Sequence, residues 1–311
     1  MILSICLNCS LDTRYTVPGF TTGGIHSAPP PSITAGGKGL NLARVAAQLG
    51  VQVTALGLVG KRDLDFFSQA MVAQGVRPHF TPLANPSRRC LNIIDPETNT
   101  STEVLEQGYP VGQQQFQRIL NLVQELAPQA SVIAASGSVP PGLPVDVYAQ
   151  LGELAQRLNR PFVLDARGRH FQEGLRGRPF AVKPNRAELI TWAGTPLETE
   201  AEIAAALQRL NRAGVALATV SLGEQGAMAA AEGKIWQARP PQVSIANPVG
   251  SGDAFCAGLC VALGLSLNLP ETLAMAVASG TANAMHPETG HIEMDIMEQL
   301  LPQIKVSALG G

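Results

Sequence analysis

The sequence predicts an α/β protein in which a mostly parallel sheet is covered by helices on both faces. The first observation is that short apolar runs, typical of buried strands, alternate along the chain with segments whose apolar residues recur at helical spacing. The second is that glycine-rich turns follow several of these runs. Ligands bind at the carboxyl ends of the strands in such sheets, so these turns are the first places to look for a site.

The composition supports one large folded unit and restricts its partners. The 311 residues are 45% apolar, and we expect residues 1–311 to form a single α/β domain. The 22 basic and 24 acidic side chains nearly balance, which argues against nucleic-acid and membrane-surface partners. The longest run without polar residues, 254–265, is shorter than the roughly 20 residues that a membrane span needs. The five scattered cysteines are typical of reduced thiols, so we expect a cytoplasmic protein that begins with a strand and not with a signal peptide.

The predicted elements follow from periodicity and from end signals. In residues 113–126, Phe116, Ile119 and Val123 recur at helical spacing, which predicts an amphipathic helix. Proline is favoured in the first turn of a helix, so a helix is predicted to begin at Pro144. Gly75 is predicted to end the helix at residues 63–74. The predicted strands are 1–7, 51–59, 131–135, 162–165, 180–183 and 216–221. The other predicted helices are 40–49, 63–74, about 200–212, 254–264, 270–285 and 294–302.

Two segments lack helical periodicity and interrupt this order. Residues 12–35 contain a proline-rich bend, and residues 88–106 contain a β-rich run followed by a turn. We expect both segments to form a small separate sheet, inserted into the α/β domain, that acts as a lid. Exposed sheet edges readily pair with another copy, so a homodimer through this lid is one arrangement that the sequence leaves open.

The clearest chemical motif is Gly250-Ser251-Gly252-Asp253, at the start of an apolar helical run. Glycines allow successive backbone N–H groups to converge on an anion, and the helix that follows adds the positive end of its dipole. Asp253 is placed to accept a proton from a hydroxyl that attacks the bound anion. The motif favours phosphoryl transfer to an alcohol, although a turn with a capping aspartate has the same residues.

A second glycine-rich turn spans residues 36–41. Gly37 allows close approach of the backbone to a ligand, Lys38 supplies a point charge, and Asn41 can donate or accept a hydrogen bond. The alternative is a plain turn with a solvated lysine. Neither a P-loop nor a dinucleotide-binding fingerprint occurs in the chain, so no motif in the sequence supports a dehydrogenase.

Three further candidates lie near the same predicted sheet edge. Asp12 follows the first strand and suits sugar hydroxyls, whereas Arg88 lies in the second lid segment and suits a phosphate. Ser136 ends a strand and opens another loop. The alternatives are a turn aspartate for Asp12 and a solvated edge-strand charge for Arg88.

The segment Lys183-Pro184-Asn185-Arg186-Ala187-Glu188 ends one strand and starts a helix. Oxygens of Asn185 and Glu188 face the same side of the first helical turn and suit Mg²⁺, directly or through water. The same pair also matches a helix-capping box, and this alternative stays open. Residues 221–227 end another strand and are weak candidates for a nucleotide pocket.

Taken in order, these motifs resemble the PfkB/ribokinase-like family of sugar kinases over almost the whole chain, from Asn8 to about Gly290. The resemblance is closest to the phosphosugar branch, which includes 1-phosphofructokinase, tagatose-6-phosphate kinase and 6-phosphofructokinase. It implies a ribokinase-like three-layer α/β/α fold. The blocks that carry the resemblance are 8–12, 36–41, 87–88, 102–108, 136–142, 183–188, 221–227 and 250–253.

The resemblance implies a role for each candidate residue, with ATP and Mg²⁺ as cofactors and, in parts of the family, a monovalent cation. Asp253 is the implied base, and Gly250, Ser251 and Gly252 form the anion hole. The implied substrate-binding residues are Asp12, Gly37, Lys38, Asn41, Arg88 and Ser136. Among them, Lys38 and Arg88 hold the existing phosphate of the substrate, and Asp12 and Asn41 bind the sugar. The implied ATP-binding residues are Lys183, Ser221, Gly223, Gly226, Gly252 and Asn283. Asn185 and Glu188 belong to the implied Mg²⁺ water network.

The sequence departs from the branch pattern at three places. Cys9 stands where the branch usually has proline, Gln107 replaces another proline, and Arg167 brings a cation into a loop near the site. These departures leave the implied chemistry intact but bear on which sugar phosphate fits.

The leading interpretation is an ATP- and Mg²⁺-dependent kinase that converts fructose 1-phosphate to fructose 1,6-bisphosphate. Kinases for tagatose 6-phosphate, fructose 6-phosphate, or an unphosphorylated sugar or nucleoside are alternatives. A non-catalytic regulator that binds a sugar phosphate is a more distant one.

Overall fold

The computed structural model describes residues 1–309. Its strands are β1 (Ile2–Cys6), β2 (Ser10–Thr16), β3 (Ser32–Gly36), β4 (Val53–Gly60), β5 (Val76–Leu83), β6 (Arg88–Asp95), β7 (Thr100–Leu105), β8 (Val132–Ser136), β9 (Phe162–Asp165), β10 (Ala181–Val182), β11 (Leu217–Ser221), β12 (Ala227–Ala231), β13 (Lys234–Arg239) and β14 (Lys305–Leu309). Its α-helices are α1 (Lys38–Gln48), α2 (Leu64–Val72), α3 (Gln113–Leu126), α4 (Val147–Arg157), α5 (Gly168–Gly174), α6 (Arg186–Ala193), α7 (Glu200–Arg212), α8 (Ser251–Gly264), α9 (Leu269–Met285) and α10 (Met294–Leu300).

Ten strands form the main sheet, in the order β14-β13-β12-β11-β10-β9-β8-β1-β4-β5. The strands from β11 to β5 are parallel, and β12 to β14 continue the sheet in antiparallel pairs. Apolar side chains cover both faces, because each face packs against its own set of helices. Helices α1, α2, α8, α9 and α10 lie on one face, and α3 to α7 lie on the other. The predicted three-layer fold is confirmed.

Four strands form the small sheet, in the order β3-β2-β6-β7. Strands β2 and β6 pair in parallel, with Ser10 opposite Arg88, while both outer pairs are antiparallel. This sheet brings Asp12 and Arg88 to adjacent strands although they are far apart in the chain. The predicted inserted sheet is therefore confirmed, and its outer strand β7 is exposed along its whole length.

Helices α3 and α7 and strand β9 have the predicted bounds. The two helices have a regular apolar period, and β9 is a short run in which every residue is buried. The antiparallel strands β12 to β14 were not predicted. Strand β12 has the sequence Ala-Met-Ala-Ala-Ala. It contains no β-branched residue and no alternation of apolar and polar residues, which are the two patterns that indicate a strand. Over residues 1–309, no helix is both long and apolar enough to cross a membrane.

Candidate active site

The carboxyl ends of the parallel strands and the small sheet enclose a cavity of about 1140 Å³. Most of the candidate residues line it, and the sequence had placed them on separate loops. The lining includes Asp12, Gly37, Lys38, Asn41, Arg88, Lys183, Asn185, Ser221, Gly223, Gly226, Gly250, Ser251, Gly252 and Asp253. Ser136, Glu188 and Asn283 are not part of this lining.

The glycine-rich turn at residues 250–252 opens α8. Gly250 has φ 86°, in the left-handed region, and a Cβ added there would lie 2.7 Å from Thr289 Cγ2. Only glycine satisfies both constraints without strain. The first N–H groups of a helix have no intrahelical partners, so this 14-residue helix presents donors and the positive end of its dipole to the cavity.

Asp253 lies in the first turn of α8 and is only 6% exposed. Its Oδ2 accepts a hydrogen bond of 2.8 Å from Asn41 Nδ2 on α1. Burial is the main cause that raises the pKa of Asp253 to about 6; Asp165 also raises it, while Lys38, Asn41 and Lys183 lower it. A buried carboxylate with a pKa just below neutral is suited to act as a general base.

Asp165, at the end of β9, is fully buried between two lysines. Its Oδ2 lies 3.4 Å from Lys38 Nζ, its Oδ1 lies 3.4 Å from Lys183 Nζ, and Ser136 Oγ donates to Oδ2 at 2.8 Å. Burial alone would raise the pKa of Asp165, but Lys183, Lys38 and the Ser136 hydroxyl outweigh it and hold that pKa below the usual range. The same ion pair is the main cause that raises the pKa of Lys38. Ser136, predicted to bind substrate, is thus directed at Asp165.

The small-sheet end of the cavity holds Arg88 and Asp12. Arg88 Nε donates to the Asn8 carbonyl at 3.0 Å and Nη1 donates to the Glu106 carbonyl at 3.0 Å, so the guanidinium is fixed in place. Asp12 Oδ1 accepts a hydrogen bond of 2.6 Å from Ser10 Oγ. Burial is the main cause of the raised pKa of Asp12.

Asn185 and Glu188 form a capping box at the start of α6. Asn185 Oδ1 accepts from the Glu188 N–H at 2.9 Å, and Glu188 Oε2 accepts from the Asn185 N–H at 2.9 Å. The capping alternative therefore describes their contacts, which use one oxygen of each side chain. Over residues 1–309, no group of three or more histidine, cysteine, aspartate or glutamate side chains is arranged to hold a metal ion.

Asn283 on α9 is fully buried behind the anion-binding turn. Its Nδ2 donates to the Val249 carbonyl at 3.0 Å and its Oδ1 accepts from the Gly290 N–H at 2.9 Å. Asn283 therefore joins two loops and is not part of the cavity lining.

Sequence reasoning missed two residues that organise the site, Asp165 and Arg44. Asp165 ends a predicted strand, so the rule that ligands bind at the carboxyl ends of strands was the signal that could have found it. Arg44 on α1 lines the cavity and donates to Asn41 Oδ1 at 3.0 Å. No pattern in the sequence indicated it, because a basic residue on a helix is usually solvated.

A helix start suited to an anion, next to a buried carboxylate of raised pKa and two lysines paired with Asp165, meets the needs of phosphoryl transfer to a hydroxyl. The fold and the site therefore define a small-molecule kinase. A family model described as pfkB family carbohydrate kinase matches residues 7–295, and the chain belongs to this family. The resemblance seen in the motifs is confirmed.

Solved structures with the same fold include several phosphofructokinases. Escherichia coli phosphofructokinase-2, solved with potassium, is 25% identical with a TM-score of 0.92 over 97% of this chain and 98% of its own. A Staphylococcus aureus protein provisionally assigned as a phosphofructokinase is 28% identical with a TM-score of 0.85 over all of both chains. A Thermotoga maritima protein provisionally assigned as a 1-phosphofructokinase, 20% identical over all of both chains with a TM-score of 0.87, shares the fold. The chain is thus a phosphofructokinase-like sugar kinase of a family that uses ATP with Mg²⁺.

We expect Asp165→Asn to lower the free energy of unfolding by about 3–5 kcal/mol, because it leaves two lysines without their shared buried counter-charge. Urea denaturation at neutral pH measures this. Asp65→Asn, at an exposed carboxylate in the first turn of α2, is the matched control and should cost about 1 kcal/mol or less. Equal, small losses in both variants would contradict the central role of Asp165.

Proposed function

We propose that this sugar kinase phosphorylates a ketose phosphate, with the conversion of fructose 1-phosphate to fructose 1,6-bisphosphate as its leading reaction. One observation carries the proposal. A single cavity contains two separate places for anions, the start of α8 and the Arg88 region, and Asp253 faces the same cavity. A substrate that already carries a phosphate needs the second anion site, whereas an unphosphorylated sugar does not.

In the proposed reaction, Asp253 accepts the proton of the attacking hydroxyl. The backbone N–H groups at Gly250, Ser251 and Gly252 face the phosphoryl group in transfer and stabilise its charge. Lys38 Nζ lies 3.4 Å from Asp165 Oδ2, and Lys38 lines the same cavity as Asp253 and the turn at residues 250–252. We therefore assign Lys38 to the phosphoryl group in transfer, and not to the existing phosphate of the substrate, which is the role that the family resemblance implies. Catalysis then consists mostly of positioning and charge stabilisation.

We assign the existing phosphate of the substrate to Arg88, and the sugar hydroxyls to Asp12 and Asn41. Arg88 is held by two backbone carbonyls, so little side-chain freedom is lost when a phosphate binds. Asp12 lies on the neighbouring strand of the small sheet, where its pairing places it opposite Cys90. Closure of this sheet over the sugar would exclude water from the reaction.

The nucleotide is assigned to the arm of the cavity formed by Lys183, Ser221, Gly223 and Gly226. Gly226 has φ 85°, and a Cβ there would overlap the Ala238 carbonyl, so the turn requires glycine. Asn185 and Glu188 each use one oxygen in the cap, which fits contact with Mg²⁺ through water better than direct ligation. When bound, Mg²⁺ would neutralise phosphate charge. The potassium in the Escherichia coli structure makes a monovalent cation a further candidate cofactor, tested by replacing K⁺ in the assay.

A second candidate reaction is phosphorylation of fructose 6-phosphate. The observation in its favour is the 25% identity to Escherichia coli phosphofructokinase-2, a protein that has also been solved with fructose-6-phosphate. Tagatose 6-phosphate is the other alternative. All three substrates place a phosphate in the same region, so the assignment of Arg88 is common to them.

We expect Asp253→Asn to lower kcat by roughly 100- to 10,000-fold, the usual effect of losing a general base. The unmodified enzyme should lose activity as the pH falls through about 6, where Asp253 becomes protonated. Steady-state kinetics from pH 5 to 8 measures both effects. Near-normal turnover in the variant would exclude Asp253 as the base.

Arg88→Ala should raise KM for the phosphoketose about 10- to 100-fold and leave KM for ATP nearly unchanged, because a charge-assisted contact with the substrate phosphate is lost. Arg89→Ala is the matched control, since successive side chains of a strand point to opposite faces and Arg89 does not line the cavity. If only the KM for ATP rises in Arg88→Ala, the assignment is wrong.

Asn185→Ala and Asn268→Ala remove equivalent caps, because Asn268 and Glu271 form the same capping box at the start of α9. We expect each substitution to lower stability by about 1 kcal/mol. Only Asn185→Ala should also raise the Mg²⁺ concentration needed for half-maximal activity. If both variants need the same Mg²⁺ concentration, Asn185 acts only as a helix cap and has no role in binding Mg²⁺.

We also propose a homodimer through the small sheet, because β7 is an exposed edge strand and Val104 is 53% exposed on it. Val104→Asp should convert dimers to monomers in analytical ultracentrifugation. Val72→Asp, at a 62% exposed position on α2, should leave the mass unchanged. A monomeric unmodified protein would contradict this proposal.

A further inference from the structure

Arg44 makes contacts with three separate parts of the site. It lies one turn after Asn41 on α1, and its Nη2 donates to Asn41 Oδ1 at 3.0 Å. The same nitrogen donates to the Ala35 carbonyl of β3 at 2.7 Å, and Nη1 donates to the Thr289 carbonyl at 3.3 Å. One half-buried guanidinium therefore joins the helix, the small sheet and the loop that packs on Gly250.

The contact with Asn41 determines which end of its amide faces Asp253. A side-chain amide has an acceptor end and a donor end. Because Arg44 can only donate, Asn41 turns its oxygen to Arg44 and its NH₂ group to Asp253 Oδ2, 2.8 Å away. The reversed amide would place an oxygen against the carboxylate and a donor against a guanidinium, so both contacts would be lost together.

We propose that Arg44 is a positioning residue that fixes the amide of Asn41 so that Asp253 is held ionised and correctly oriented as the base. This inference rests on the proposed function, because it concerns how the proposed base is held. Arg44 need not touch the substrate for this role. It acts through Asn41, and its hydrogen bonds to the Ala35 and Thr289 carbonyls connect α1 to the small sheet and to the loop beside Gly250.

Several other groups act on Asp253 and have to be separated from Arg44. Lys38 and Lys183 lower its pKa, and Asp165 raises it. Arg44 also carries a positive charge near Asp253, and the two influence each other electrostatically. A direct charge effect and an effect through Asn41 predict different results when Asn41 is also removed.

The test is the pH dependence of kcat for Arg44→Met, Asn41→Ala and the double variant. We expect each single variant to move the acid limb up by about one pH unit, since a hydrogen bond to the ionised carboxylate is lost. In the double variant, the shift should equal that of Asn41→Ala alone, because the two residues act in series. Titration of the substrate's own phosphate is the same in all variants, so the differences report on the enzyme.

Two further variants complete the design. Arg44→Lys keeps the positive charge but cannot donate to all three oxygens, those of Asn41, Ala35 and Thr289. Its acid limb should therefore lie between those of the unmodified enzyme and Arg44→Met. It can replace Arg44→Met if that variant does not fold. Arg160→Met is the matched control. Arg160 is also half-buried and donates to a backbone carbonyl, that of Pro128 at 3.1 Å, but it does not line the cavity. Its acid limb should stay in place.

The inference is overturned if the acid limb of Arg44→Met coincides with that of the unmodified enzyme. It is also overturned if Arg44→Met gives the same shift with and without Asn41, since the arginine would then act by its charge alone. Failure of the proposed function gives a different result, in which Asp253→Asn keeps near-normal turnover. An inactive Asp253→Asn together with an unshifted Arg44→Met would reject the role of Arg44 only.

Discussion

The ion pairs of Asp165 are the interaction on which the arrangement of the site depends. Its carboxylate is fully buried and faces a lysine from the start of α1 and another from the end of β10. Burying one carboxylate alone is costly, but two cations and a hydroxyl compensate it. The same contacts fix both lysines at the carboxyl edge of the sheet. The group of three charges keeps a net positive charge facing a cavity that, in our proposal, receives phosphates.

This charge arrangement also explains the state of Asp253. Burial raises its pKa, and the lysines held by Asp165 prevent a larger rise. The result is a carboxylate that is ionised near neutral pH but still basic enough to accept a proton. The hydrogen bond from Asn41 also lowers the pKa of Asp253, and we infer that Arg44 sets the direction of the Asn41 amide. In this account, Arg44 supports the base through Asn41, and Asn283 supports the turn at residues 250–252, and neither has to touch the substrate.

Much of this architecture could be predicted from the sequence, and the exceptions have physical causes. The apolar period of α3 and the glycine-rich turn before α8 were sufficient to predict these elements, because both signals lie within a short stretch of sequence. The alanine-rich strand β12 carried no local signal. The hydrogen bonds of Asn283 to Val249 and Gly290 carried no local signal either, because these residues belong to loops that only the fold brings together. Asp165 was missed although it ends a predicted strand, because the two lysines that pair with it lie far from it in the chain. Arg44 was missed because a basic residue on a helix is usually solvated, and only the structure shows its contacts with Asn41, Ala35 and Thr289.

The most direct test of the account is an ATP-consumption assay with Mg²⁺ on fructose 1-phosphate, fructose 6-phosphate, tagatose 6-phosphate, fructose and ribose, with phosphorus NMR of the product. The account predicts a clear preference for a phosphoketose, with fructose 1-phosphate converted fastest and fructose 1,6-bisphosphate as the product. Preference for fructose or ribose would contradict it, because the region around Arg88 would then not be a phosphate site. Sugar-phosphate binding without any turnover would contradict it as well, and would indicate a regulator on a kinase fold.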